Sequence, residues 1–158
     1  ALPTPLSNKH NRQEKLIDII EKPLWEATGK TAADTLIPDI ITISKVDEDW
    51  QFMIFDAKYY NAKLEFGNTP KGQPGIESVT KQYLYQLAYK DFIDEHKFST
   101  VKNCFLMPTE KNTVVDKETV SLQMIDKLES IKVRFLPAAM AYENYLSGRK
   151  LDLSLLNL

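Results

Sequence analysis

The sequence predicts a single α/β domain in which a mixed central β-sheet is flanked by helices. Two apolar, β-rich runs lie within residues 36–60, on either side of a short charged segment, which is the pattern of a β-hairpin. Residues 76–96 carry apolar side chains at helical spacing. Further β-rich runs follow at 101–107 and 131–135. Strand and helix patterns that alternate in this way favour helices packed against one sheet.

Length and composition also favour one domain, spanning residues 1–158. The 158 residues suffice for one hydrophobic core, and the contents of 43% hydrophobic and 27% charged residues are ordinary for a globular protein. The single cysteine, Cys104, excludes an intrachain disulfide and no apolar run has the length of a membrane span, so we expect a cytoplasmic protein without a membrane partner. The first residue is Ala1 rather than Met, which is compatible with a fragment of a longer chain.

The amino-terminal half is expected to hold a helix, the hairpin and a loop. A helix is predicted over residues 11–21, with Asn11 as its cap and Glu14 three positions later. The hairpin follows, with residues 44–49 as its polar loop. Residues 61–75 contain three glycines and two prolines and therefore predict a long loop.

The carboxy-terminal half is expected to add one long helix, β-rich runs at 101–107 and 131–135 with a partly alternating run at 113–124 between them, and a final helix. The helix at 76–96 is predicted to be continuous, and the strand at 101–107 to end at Pro108. Apolar and charged residues alternate over 131–135, which predicts a half-exposed strand. Pro137 is expected to start the last helix. The Leu-rich tail beyond it either caps the core or contacts a partner.

Charged residues mark the ends of the two hairpin strands. Asp39 opens the first apolar run, and Asp56 and Lys58 close the second. Positions two apart on a strand face the same side, so Asp56 and Lys58 should project together while Ala57 points away. Charges beside so apolar a run need compensation, and a divalent ion held by the two carboxylates would provide it. A plain salt bridge between Asp56 and Lys58 is the structural alternative.

These residues resemble the signature of the PD-(D/E)xK nucleases. Pro38-Asp39 corresponds to its first part and Asp56-Ala57-Lys58 to its second, and the separation of 17 residues (56 − 39) suits a strand, a turn and a strand. The resemblance covers roughly residues 12–110. The run at 55–60, followed by that at 85–89, is most similar to LlaJI and McrC-like restriction endonuclease subunits.

The resemblance implies a restriction-endonuclease-like fold and a metal-dependent site. Mg²⁺, which Mn²⁺ can replace, would be bound by Asp39, Asp56 and the carbonyl of Ala57, since Mg²⁺ favours carboxylates and keeps several waters. Lys58 would either deprotonate the attacking water or stabilise charge on the phosphate. The sequence leaves both roles open.

Two further residues join the candidate catalytic set through the same resemblance. Relatives often add an acid from the first helix, and Glu14 is preferred here over Asp18 and Glu21, although each acid taken singly is better explained as solvated or capping. Relatives also carry a glutamine or lysine on the helix after the Asp-x-Lys strand, which points to Gln82, with Gln86 on the same face. A plain polar helix face explains the two glutamines equally well.

The expected function is therefore metal-dependent endonucleolytic cleavage of DNA within a restriction system. The net charge of −2 and the pI of about 5.7 argue against strong autonomous DNA binding, so a specificity or NTPase subunit, or a missing domain, is an expected partner. An oligomer is compatible with this function. Two alternatives stay open: a structure-selective nuclease of DNA repair or recombination, and a non-catalytic nucleic-acid or protein-binding module that keeps the nuclease fold.

Overall fold

A computed structural model describes residues 16–25, 29–31, 34–46, 48–65, 67–125 and 127–158 of the chain. A 3₁₀ turn at Leu16–Ile19 comes first, and another at Leu153–Leu156 lies near the end. The strands are β1 (Leu24–Trp25), β2 (Lys30–Thr31), β3 (Ile40–Val46), β4 (Asp49–Ala57), β5 (Thr100–Thr109), β6 (Val115–Val120) and β7 (Ile131–Pro137). The helices are α1 (Ile76–Ala88), α2 (Lys90–Glu95) and α3 (Ala138–Leu146).

Five of the strands form one mixed sheet in the order β3-β4-β5-β7-β6. β3 and β4 form the antiparallel hairpin, β4 pairs parallel with β5, β5 pairs parallel with β7, and β6 lies antiparallel to β7. The hairpin turn is tighter than its charged residues suggested, because pairing continues to Val46 and Asp49. The predicted α/β class, with a mixed sheet and helices of the restriction-endonuclease-like type, is confirmed.

The interior strand β4 is buried on both faces. Phe52 and Ile54 pack with residues of α1 and α2 on one face, while Met53 and Phe55 pack with Cys104 and Leu156 on the other. A strand covered on both sides needs apolar residues at successive positions rather than in alternation. This explains the continuous run Phe52-Met53-Ile54-Phe55 in the sequence.

The continuous helix predicted over residues 76–96 is wrong, because the helix is interrupted at Tyr89. The backbone of Tyr89 has φ −98° and ψ 4°, and a new helix begins at Lys90. The reorientation lets Phe92 meet the ring of Phe52 edge-on, with 5.9 Å between centroids, while the Tyr89 hydroxyl donates to the carbonyl of Leu16 at 3.2 Å. Tertiary packing therefore fixes the break, which local helical spacing does not encode.

The predicted end of β5 at Pro108 is also wrong, since the strand continues through Pro108 to Thr109. The pairing of β5 with β4 ends at Leu106 and Ala57, whereas the pairing with β7 continues. Pro108 therefore lies where one neighbouring strand has already stopped, and a residue without an N–H is tolerated at such an edge.

The expectation that β7 is half-exposed is contradicted by Arg134, which is only 3% exposed. The carboxy-terminal segment covers that face: the guanidinium donates to the carbonyls of Leu156 at 2.6 Å and Asn157 at 2.8 Å. The Leu-rich tail therefore caps the core, which is one of the two roles predicted for it, and Leu156 is fully buried.

The remaining expectations concern the two ends and the long loop. Of the helix predicted at 11–21, the described part is the 3₁₀ turn, which ends at Ile19, and residues 1–15 lie outside the described residues. The described part of 61–75 is irregular except for a bridge between Lys63 and Lys71, as predicted. The final helix follows Pro137 as expected. Within the described ranges, no helix combines the length and apolar character needed to cross a bilayer.

Candidate active site at the end of the hairpin

The register of the hairpin brings Asp39 and Asp56 to the same place. Ile40 pairs with Phe55, so the next position along places Asp39 directly opposite Asp56. Opposite residues of an antiparallel pair project from the same face. A hydrogen bond fixes this arrangement, because the backbone N–H of Ala57 donates to Oδ2 of Asp39 at 2.9 Å.

Lys58 shares this face, as the strand periodicity predicted. Its Nζ lies 2.5 Å from Oδ2 of Asp56, and the two side chains are only 18% and 6% exposed. The ammonium also lies 6.0 Å from the centroid of the Phe105 ring. The backbone N–H of Lys58 donates to the carbonyl of Leu106 at 2.8 Å, which holds this position against β5 although regular pairing has ended.

The electrostatics of the pair are governed by burial. Desolvation raises the pKa of the Asp56 carboxyl, and the neighbouring carboxylate of Asp39 raises it further, while Lys58 opposes both effects. The net upward direction means that the loss of hydration on burial, together with Asp39, outweighs the stabilisation of the carboxylate by Lys58. Two adjacent carboxylate groups, one of them desolvated, are a donor set that suits a hard divalent cation. Within the described ranges, no group of three or more His, Cys, Asp or Glu side chains is clustered for metal binding.

Helix α1 contributes two residues that the sequence analysis did not select, Lys81 and Tyr85. The Tyr85 hydroxyl donates to the carbonyl of Ile37 at 2.7 Å, which fixes the chain two residues before Asp39. The exposed Lys81 ammonium lies over the Tyr85 ring, 5.6 Å from its centroid. Tyr85 raises the pKa of Lys81, and the carboxylates of Asp56 and Asp39 make a smaller contribution in the same direction. Lys81 therefore lies on the part of α1 whose charge is felt by the carboxylate pair. The available signal was the i, i+4 spacing of a lysine and a tyrosine on the helix after the Asp-x-Lys strand.

Gln82 is completely buried between α1 and the sheet. Its Nε2 lies 2.5 Å from Oδ1 of Asn103 and 3.4 Å from the carbonyl of Ile54, and Nδ2 of Asn103 donates to the carbonyl of Gln82 at 3.1 Å. These contacts dock the helix on β4 and β5. Gln86 is buried as well, so neither glutamine lies on an exposed polar face. The catalytic role of Gln82 stays a prediction.

The acids expected from the first helix are only partly described. Glu14, the preferred candidate, lies outside the described residues. Asp18 and Glu21 are exposed, and the carbonyl of Glu21 accepts a hydrogen bond from Oγ1 of Thr35 at 2.8 Å. This bond ties the segment to the chain that leads into Asp39.

Comparison with known proteins agrees with the resemblance found in the sequence. The profile of the LlaJI restriction endonuclease family matches residues 8–139. The chain is also 32% identical, over 136 residues, to the Type II restriction enzyme BsuMI component YdjA of Bacillus subtilis (strain 168). That alignment covers 82% of this chain and 28% of the relative, so the chain spans little more than a quarter of the length of the curated relative it matches. No solved structure gives a significant match. The chain therefore belongs to the LlaJI restriction endonuclease family.

Proposed function

We propose that this chain is the DNA-cleaving subunit or domain of a restriction system and hydrolyses phosphodiester bonds with the help of a divalent metal ion. The observation that carries the proposal is the placement of Asp39 opposite Asp56, with Lys58 paired to Asp56 on the same face. Under this proposal, Pro38-Asp39 and Asp56-Ala57-Lys58 are the two parts of a PD-(D/E)xK signature. The family match and the restriction-enzyme relative support the same conclusion.

The donor set supports Mg²⁺, with Mn²⁺ as a substitute. Asp39, Asp56 and the carbonyl of Ala57 would bind the ion, and water would complete its coordination. When bound, the ion neutralises charge on the phosphate and lowers the pKa of a bound water. The upward shift in the pKa of Asp56 supports this assignment, because a bound cation would stabilise a carboxylate whose charge is disfavoured first by burial and then by Asp39.

The lysines of the site supply charge to the reacting phosphate. Lys58 lies beside Asp56 and would donate a hydrogen bond to a non-bridging oxygen as negative charge develops there. Lys81 would contact the same or a neighbouring phosphate from α1, while Tyr85 holds the segment that carries Asp39. Water is added to phosphorus, the P–O bond to the leaving oxygen breaks, and that oxygen takes up a proton.

A partner subunit, or a further domain, is part of the proposal. Twenty basic residues face 22 acidic ones, which supports weak affinity of this chain for a duplex, since such affinity comes chiefly from lysine and arginine contacts with phosphates. The related B. subtilis protein carries the word "component" in its name and is much longer than this chain. Sequence recognition by another part of the system agrees with both observations.

The test is a cleavage assay on the complex that co-purifies with the tagged chain from its native host. Supercoiled plasmid is incubated with the complex in Mg²⁺, in Ca²⁺ and in a chelator, and single-turnover rates are compared for the native chain and two lysine variants. Lys58→Met should lower the rate by about 10²- to 10⁴-fold, the usual range for losing one positioned acid–base or charged group.

The matched control is Lys45→Met. Lys45 is exposed on β3 near the opposite end of the hairpin, where its ammonium pairs with Glu48 at 3.0 Å. This variant should cleave at the native rate. Cleavage by Lys58→Met within a few-fold of the control, or cleavage that persists in the chelator, would refute the proposed function.

A further inference from the structure

A cavity of about 820 Å³ is lined by residues that directly follow Lys58 and by the ends of β5 and β7. Its wall begins with Tyr59 and Tyr60, the two residues that follow Lys58, and continues over Thr109 and Phe135 of β5 and β7. Neither carboxylate of the candidate active site lines it. Its size falls within the range of small-molecule sites, so it can hold a nucleoside-sized group.

The cavity lies within reach of a nucleotide bound at Lys58. The backbone of Lys58 is hydrogen-bonded to Leu106 of β5, and the next residue of β5, Met107, pairs with Phe135. Neighbouring strands are about 4.8 Å apart, so two strand spacings place the Phe135 wall roughly 10 Å from β4. That is a suitable distance for a base whose phosphate lies at the carboxylate pair.

The charges that line the cavity distinguish between the parts of a nucleotide. Two lysines, Lys63 and Lys111, face three acids, Glu65, Glu110 and Glu118, which gives a net charge of −1 (2 − 3). A phosphate backbone would be repelled by this balance. A neutral base offers both hydrogen-bond donors and hydrogen-bond acceptors along its edge, and these match a lining that contains both lysines and glutamates.

Aromatic side chains provide the surface on which such a base would stack. Tyr59 is 89% exposed and Tyr60 is 42% exposed, directly after the lysine of the active site. Phe135, which is half-buried, is a third aromatic residue in the lining. Stacking of a base on an aromatic side chain is favourable and tolerates any base, because every base has a π-face.

We infer that this cavity, named here the Tyr60 cavity, binds an unstacked nucleobase of the DNA next to the phosphate that is cleaved. The inference rests on the proposed function for the identity of the polymer, but the base-binding site itself consists of residues outside the carboxylate pair. The Tyr60 cavity would thus be a substrate subsite, and its use requires that the DNA strand be locally unstacked at the position of cleavage.

The test is a titration of the ¹⁵N-labelled chain with small probes, followed by NMR. The probes are deoxyadenosine, deoxycytidine and deoxyribose 5-phosphate, each raised to 10 mM. Both nucleosides should shift the amide resonances around Tyr60 and Thr109, and deoxyribose 5-phosphate should leave them unchanged. Absence of shifts with both nucleosides, or equal shifts with the sugar phosphate, would overturn the inference.

Variants separate stacking from a general loss of structure. Tyr60→Ala should weaken nucleoside binding at least tenfold, and Tyr60→Phe should retain it, because the ring rather than the hydroxyl supplies the contact. The control is Tyr145→Ala, since Tyr145 is 82% exposed on α3 and about two helical turns beyond Ala138, which lines the cavity. Equal weakening by Tyr60→Ala and Tyr145→Ala, or loss of binding in Tyr60→Phe, would contradict a stacking site.

A further variant keeps the two proposals apart. Lys58→Met should bind nucleosides as the native chain does, although its cleavage is lost. If the nucleosides bind but no form of the complex cleaves DNA, the proposed function fails and the base site stands. If cleavage occurs and the nucleosides do not bind, the base site fails and the proposed function stands.

Discussion

Replacing Asp56 by Asn should make the metal-free protein more stable at neutral pH. The carboxylate is almost fully buried, and it lies opposite Asp39 at the end of the hairpin. Burial is the main cause of the raised pKa of Asp56, and the ion pair with Lys58 offsets only part of the cost of burying the charge. We therefore expect Asp56→Asn to raise the free energy of unfolding at pH 7 by about 1 kcal/mol, the usual size of a single-substitution effect.

The pH dependence gives this prediction its sign. Burial and Asp39 raise the pKa of Asp56 in the folded protein, so the folded state holds this proton more tightly than the unfolded state does. Stability from this group is present below the unfolded pKa of about 3.9 and is lost as the pH rises through the folded pKa. The difference between Asp56→Asn and the native chain should thus vanish near pH 3.5 and grow towards pH 7.

Urea unfolding between pH 3.5 and pH 8, in the presence of a chelator, measures the difference directly. Asn is close in shape to the protonated carboxyl group, so changes in packing should contribute little. Glu48→Gln serves as the control, because Glu48 is exposed at the hairpin turn and its ion pair with Lys45 lies at the surface. A native chain more stable than Asp56→Asn at pH 7 would refute the claim that burial makes the ionised Asp56 carboxylate unfavourable in the folded protein.

Three further predictions concern residues around the site and the core. Tyr85→Phe removes the hydrogen bond to the carbonyl of Ile37, so the free energy of unfolding in urea should fall by about 1 kcal/mol. The same variant should cleave DNA more slowly while binding a duplex in Ca²⁺ as the native chain does. An unchanged cleavage rate would show that Tyr85 does not belong to the site. Arg134→Met leaves buried carbonyls without their donor, so it should cost about 3 kcal/mol in the same assay and expose the carboxy-terminal segment to protease. A cost below about 1 kcal/mol would contradict a structural clamp. Glu14→Gln should slow cleavage far more than the isosteric change Glu21→Gln, and equal rates would assign both acids to the scaffold.

The hairpin was predictable because its signals are local. Apolar β-rich runs, a charged turn and the two-residue periodicity of a strand fix which side chains share a face. Asp56 and Lys58 could therefore be placed together from the sequence. The position of Asp39 opposite Asp56 additionally required the register, which depends on a turn tighter than the charged segment suggested.

Features that depend on packing between distant segments could not be read from the sequence. The break at Tyr89 is set by contacts with Phe52 and Leu16, and the burial of Arg134 is set by the carboxy-terminal segment. Polar alternation alone makes Arg134 look exposed, because nothing local records that another segment covers that face. The sequence shows the spacing of Lys81 from Tyr85, but its electrostatic interaction with the carboxylates depends on how α1 docks on the sheet.

A titration with Mn²⁺, followed by electron paramagnetic resonance, tests most directly the claim that Asp39 and Asp56 together form one divalent metal site. The native chain should bind one Mn²⁺ ion that Mg²⁺ displaces, and Lys58→Met should retain this site. Asp39→Asn and Asp56→Asn should each abolish it, because each removes one of the two carboxylates. Undiminished Mn²⁺ binding by both aspartate variants would show that the ion is held elsewhere and would contradict the account.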